Sequence, residues 1–142
     1  MALDGKVENI RTLVTNSTAS PAVVEGAIAW KHDSFYYLFF SVGACCNTPS
    51  AGSGLAPPGD EYHIAVCRSD SITGPYMDRD GRNCQTQNGG TTILASHGDV
   101  YAPGGQGIMT LPERRDVIYY HYGKYSLSSK REDVQSDQDS ES

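Results

Sequence analysis

Apolar residues in this chain come in short blocks separated by turn chemistry, and no segment sustains the 3.6-residue period of an amphipathic helix. The run FYYLFFSV at 35–42 is dense in aromatic residues, and YHIAVCRS at 62–69 alternates with period two, which puts Ile64 and Val66 on one face of a strand. VVEGAIAWK at 23–31, TTILAS at 91–96, GQGIMTL at 105–111 and DVIYYHYG at 116–123 read as further strands. Between them lie HDS at 32–34, the Gly/Pro-rich NTPSAGSGLAPPGDE at 47–61, TGP at 73–75, DRDG at 78–81, NGG at 88–90 and PERR at 112–115, all rich in residues that turns require. The expected class is all-β, with antiparallel neighbours joined by turns.

Part of the pattern repeats. EGAIAWKHDSFYYLFFS and GQGIMTLPERRDVIYYHYG each run from a glycine through a short strand and a polar turn to a strand centred on a Tyr-Tyr pair. Recurrence of an antiparallel unit is what a β-propeller produces, blade after blade. Two ordinary hairpins of a sandwich would give the same two copies, so the pattern alone leaves both architectures open.

From Ser126 onward the pattern stops. SLSSKREDVQSDQDSES holds one leucine, one valine and no aromatic residue, too little apolar surface to offset the entropy of ordering it. The expected organisation is a folded body at 1–125 and a disordered polar tail at 126–142. With two basic and five acidic residues, the tail carries half of the formal net charge of −6. The body is therefore only mildly acidic and offers no basic face, which argues against nucleic acid or an anionic membrane as partner. No run approaches the roughly 20 apolar residues of a membrane span.

Candidate chemistry narrows the field further. MALDGKVENIRTL lacks the charged start and apolar stretch of a secretory signal, while four cysteines and the sequon Asn16-Ser17-Thr18 fit an oxidising compartment. Cys45, Cys46, Cys67 and Cys84 contain no C-x-x-C pair, which excludes the common zinc frameworks. One of the vicinal cysteines pairing with Cys67 or Cys84 is open, since connectivity is not written in spacing. DRDGRN at 78–83 hints at a calcium loop, but position twelve is Gly89 where an EF-hand needs glutamate, so a plain turn is the expectation. GGQG at 104–107 lacks the lysine and following helix of a phosphate loop and reads as a chain reversal or a close approach of backbone to a ligand. No G-x-S-x-G elbow occurs.

His32, His63 and His97 lie near turns or strand ends, where exposed or hydrogen-bonded structural roles are the default. His121, in the apolar YYHY, reads as an inward residue, either a satisfied core group or a ligand. Glu25 is the sharpest single residue. It stands without an adjacent base in VVEGAIAW, and it is either a solvent-facing strand residue or a carboxyl among apolar neighbours that favour its protonated form, as a general acid requires.

Taken in order, VVEGAIAW, HDSFYYLFFSVGACC, YHIAVCRSDSITGPYMDRDG, NGGTTILASHGDVYAPGGQG and VIYYHYG resemble the fungal endo-1,5-α-L-arabinanases of glycoside hydrolase family 43, over roughly Val7 to Gly123. The resemblance implies a five-bladed β-propeller, of which this chain holds roughly one and a half blades, about the third and part of the fourth. It implies an inverting hydrolase of arabinan or arabino-oligosaccharide that uses a general base, a general acid and a tuning acidic residue. Val24-Glu25-Gly26 matches the general-acid motif, with Ala27 where related enzymes often carry proline. His121 matches a histidine that helps hold a cation, calcium or another, through water at the propeller centre, and no other cofactor is implied. Secretion is implied by the same resemblance.

The other two carboxylates of the trio lie well upstream of the acid in the family. Asp4 is the one aspartate before Glu25, and MALDGKV does not match the base motif. The chain is therefore expected to be an incomplete, inactive fragment, with apolar faces and strand edges that further blades would cover. Rival readings are an arabinofuranosidase or β-xylosidase of the same family, separated by endo against exo products, and a non-catalytic carbohydrate-binding fragment.

Overall fold

The computed structural model describes residues 10–17, 23–45, 60–113 and 115–124. Four strands, β1 (Val24–His32), β2 (Phe35–Val42), β3 (His63–Ser69) and β4 (Thr91–Leu94), form one antiparallel sheet in the order β1-β2-β3-β4. A second sheet is the hairpin of β5 (Val100–Thr110) and β6 (Asp116–Lys124). One complete up-and-down blade is thus followed by the first two strands of another, which is the arrangement of a propeller rather than of a sandwich.

The blade forms because its two central strands are apolar on both faces. Leu38, Phe40 and Val42 of β2 lie beside Ala65 and Cys67 of β3, and this face is buried against Tyr76 and Cys84, with Leu13, Val14, Val24 and Tyr36 around it. Burying a side chain the size of Leu38 or Phe40 contributes about 1.5–3 kcal/mol. The segment that covers this face is bolted down by a disulfide between Cys67 and Cys84, 17 residues apart. Spacing left open whether a vicinal cysteine joins one of these two; they join each other. Cys67 points from a central strand into the loop that packs on it, and Cys46 lies outside the described residues.

The opposite face carries Tyr37, Phe39 and Ser41 of β2 and the fully buried Ile64 of β3, and it meets the β5–β6 hairpin. Between the sheets runs an open cleft of about 270 Å³ lined by Trp30, Tyr37, Phe39, Ile108 and Val117 among others. At its rim Asp116 accepts hydrogen bonds from Thr110 Oγ1 (2.7 Å) and Trp30 Nε1 (3.2 Å) and lies 2.8 Å from His32 Nδ1.

The DRDG stretch is a turn built on Asp78. Its Oδ1 accepts from the backbone N–H groups of Asp80 and Arg82, and its Oδ2 from Arg82 Nε and the N–H of Gly90. A carboxylate so engaged is an Asx-type staple rather than an open ligand. Burial pushes this carboxyl up, but the hydrogen bonds from Arg82, Gly90 and Asp80 and the Arg82 guanidinium outweigh it and hold it below the usual aspartate range.

Strand β5 begins five residues before the expected Gly105, because Pro103, Gly104 and Gly105 mask the strand signal while two register shifts, at Tyr101/Gly104 and Gly104/Gly107, absorb them as bulges. GGQG is accordingly neither a reversal nor a phosphate cradle. The polar tail expected at 126–142, the sequon's Thr18 and Asp4 lie outside the described residues.

Candidate active site

Glu25 owes its direction to a bulge. In the register of β1 with β2, Ile28 pairs with Phe39 and Glu25 with Ser41, three steps on β1 against two on β2. The extra residue sits at Gly26, whose φ of +60° glycine adopts without the penalty of a Cβ. Simple alternation from Ile28 would place Glu25 on the opposite face. With the bulge it shares the face of Ser41, which looks toward the next blade.

A buried amide pins that bulge. Gln106 Nε2 donates to the carbonyl of Gly26 (2.8 Å), its Oε1 accepts from the Ser41 hydroxyl (2.8 Å), and the same hydroxyl accepts from the N–H of Gly105 (3.0 Å). Ser41 and Gln106 are both buried, and this bridge ties β2 and β5 to the backbone beside Glu25 with a partner for each polar side-chain atom.

Tyr62 completes the group. Its hydroxyl donates to Glu25 Oε1 at 2.7 Å, and its ring stacks on that of His121 with centroids 6.1 Å apart. Burial pushes the phenol up to about 12; the Ser41 hydroxyl lowers it, and the hydrogen bond and charge of Glu25 raise it further. Two glycines make the space. A Cβ on Gly104 would stand 1.8 Å from Tyr62 Cε1, and one on Gly105 would stand 2.3 Å from His121 Cε1. GGQG does mark a close approach of backbone, but to two aromatic rings.

The structure therefore brings Glu25 and His121 together through Tyr62. Of the two readings open for Glu25, the structure has the solvent-facing one, at the open side of the blade, and His121 is exposed where an inward position was expected. For Glu25 the bulge on its own strand sets the face; in the second hairpin the extra residues lie on β5, and β6 keeps simple alternation at His121. His63 and His97 hold backbone carbonyls through Nδ1 (2.7 and 2.9 Å), and His32 pairs with Asp116, all structural positions.

Among the described residues no group of three His, Cys, Asp or Glu side chains is placed to hold a metal ion. Tyr62 and Gln106 were not singled out from sequence. Tyr62 had a signal, since it shares the period-two face of Ile64, which pairs with Ser41. Gln106, one amide in a glycine-rich strand, had none.

A carboxyl anchored by one oxygen and exposed to solvent can carry and release a proton. The sequence model of glycosyl hydrolases family 43 matches residues 1–137, nearly the whole chain. The chain belongs to that family. The family 43 chain is 50% identical over 99 residues, 70% of its length, to the probable arabinan endo-1,5-α-L-arabinosidase A of Neosartorya fischeri, and it spans 30% of that protein. In structure it is similar to the α-L-arabinanase of Cellvibrio cellulosa complexed with arabinohexaose, with a TM-score of 0.60 and 28% identity, over 71% of this chain and 29% of that one. An exo-1,5-α-L-arabinanase from a bovine ruminal metagenomic library shares the fold, with a TM-score of 0.66 at 24% identity over 84% of this chain and 35% of that one.

Proposed function

We propose that this family 43 chain carries the proton-donor segment of an arabinan endo-hydrolase, with Glu25 as general acid. The observation behind this reading is the bulged, exposed Glu25 held by Tyr62 at the side of the blade that faces its neighbour. A general acid protonates the glycosidic oxygen as the bond to the anomeric carbon breaks, while a base on the other side of the sugar, roughly 6.5–9.5 Å away in an inverting enzyme, activates water. Since MALDGKV does not match the base motif, the base is assigned in this reading to sequence beyond the 30% of the relatives that this chain spans, and the chain by itself is inactive. Arabinan or an arabino-oligosaccharide is the substrate in this reading, and no step passes through a metal.

A hybrid tests it. Residues 23–124 replace the matching segment of the N. fischeri relative, and release of oligosaccharides from linear arabinan is followed. Glu25→Gln is expected to lower kcat by about 10²–10⁴-fold. Retention of activity within a few-fold would remove Glu25 from the role, and single arabinose units as the only product would favour exo action. Export is part of the same proposal, supported by the Cys67–Cys84 bridge. Isolation of the native protein with both thiols reduced would count against it.

A further inference from the structure

The hydroxyl of Tyr62 meets only one of the two carboxyl oxygens of Glu25, Oε1. Three constraints fix the ring. It is 3% exposed, it lies against the backbone of Gly104 so closely that no Cβ fits there, and it stacks on His121. The Glu25 backbone is fixed separately by the Gln106 bond to Gly26. Donor and acceptor both belong to the first blade and are both braced by residues of the second, so the 2.7 Å bond between them joins two positions that other contacts have already set.

We propose that Tyr62 is a positioning residue for the proton donor: by donating to Oε1 it makes Oε2 the oxygen that carries and delivers the proton. The inference rests on the reading of Glu25 as general acid. A protonated carboxyl has one O–H and one carbonyl oxygen, and a phenol that donates to Oε1 favours the carbonyl form there. Oε2 takes part in no hydrogen bond among the described residues, which leaves it open to substrate. As the proton passes from Oε2 to the glycosidic oxygen and the bond to the anomeric carbon breaks, negative charge develops on the carboxylate. Attacking water surrenders its own proton to the base. The phenol's bond then becomes charge-assisted, so it strengthens along the reaction rather than in the ground state. Tyr62 stays a donor at neutral and acid pH, because burial and the neighbouring Glu25 push its phenol up to about 12.

The 142-residue chain labelled with ¹³Cζ-tyrosine provides the first test, with Tyr62 assigned through its own backbone connectivities. Its ¹³Cζ resonance is expected to move as the solution is acidified and the acceptor changes from carboxylate to acid. In a His121→Gln background, which removes the other titratable side chain in contact with the ring, Glu25→Gln should abolish that movement while near-UV circular dichroism stays at the parent signal. A Tyr62 resonance that ignores acidification, or moves identically in Glu25→Gln, overturns the inference. In the arabinan hybrid, Tyr62→Phe should lower kcat about tenfold or more, the loss of a hydrogen bond to a charged group, with KM within about twofold. If Glu25→Gln abolishes hydrolysis and Tyr62→Phe leaves kcat unchanged, the inference fails alone. If Glu25→Gln is harmless, the general-acid reading fails and takes the inference with it, whatever the resonance does.

Discussion

The β1–β2 and β5–β6 hairpins share one pattern, a bulge at a positive-φ glycine, a short strand, a polar turn and a Tyr-Tyr strand, yet they end in different surroundings. Strand β2 lies between β1 and β3, and its Leu38, Phe40 and Val42 are buried. Strand β6 pairs with β5 at the edge of a two-stranded sheet, and Tyr119 and Tyr122 are 58% and 49% exposed. Where the hairpins are alike, at their bulges, they meet. A Cβ on Gly26 would lie 3.8 Å from the Cα of Gly105, and the Gln106 bridge and Tyr62 occupy the same corner. The repeat therefore builds the site, whereas the strands added after it decide how much of each unit is covered.

Breaking the better-covered unit should have the largest effect. Phe40→Ala, at a position 1% exposed in the complete blade, is expected to lower unfolding free energy by about 3–5 kcal/mol in denaturant titration. Tyr119→Ala, in the second hairpin, should change it by no more than about 0.5 kcal/mol. Equal losses would mean that the hairpin is packed as firmly as the blade, and the contrast between them would be lost.

The two bulges sharpen the comparison at the site itself. Gly26→Ala meets nothing closer than 3.7 Å, so its cost is the left-handed backbone conformation alone, about 1 kcal/mol. Gly105→Ala, with nearly the same φ, adds a collision with the His121 ring, and an overpacked site of this kind costs a further 1–3 kcal/mol or so. Thermal unfolding of the two variants reads the difference. A Gly105→Ala protein no less stable than Gly26→Ala would show that His121 moves aside freely and is not held against Tyr62.

Strand existence was legible because aromatic runs and period-two alternation are local properties. FYYLFFSV at 35–42 coincides with β2, and five of the six strands lie within two residues of their expected bounds. Direction was not legible at the site. A bulge reverses the face of every residue beyond it on its own strand, and the glycines that permit one also signal turns, so Glu25 stayed open between two faces and GGQG between a reversal and a close approach, while His121, expected inward, is exposed. The disulfide was hidden for a related reason, since Cys67 and Cys84 meet through a loop folded back onto its own strand. The resemblance to arabinanases supplied what periodicity lacked, the significance of Val24-Glu25-Gly26, but not Tyr62.

The finest contrast lies in how each unit is fastened. Asp78 staples the covering loop to the complete blade with a side chain that is 0% accessible, while Asp116 fastens the second hairpin to Trp30 and His32 with one that is 29% accessible. Both carboxyls are held below the ordinary aspartate range in the folded chain, Asp116 by the Thr110 and Trp30 hydrogen bonds chiefly and by His32, against a smaller rise from burial. A depressed folded-state value means stability that is fully present above the unfolded value, about 3.9, and is lost as pH falls through the folded one. Acid should therefore weaken the wild-type fold below roughly pH 4. Asp78→Asn is expected to be less stable at neutral pH and to show a shallower acid transition by circular dichroism. Asp116→Asn should leave that transition in place, because solvent already screens its partners. Its effect is expected in amide exchange at the start of β6, faster near Val117 while β2 and β3 keep their protection. If Asp116→Asn instead flattens the acid transition as much as Asp78→Asn does, the second hairpin unfolds together with the blade, and the two units are one cooperative body despite their unequal cover.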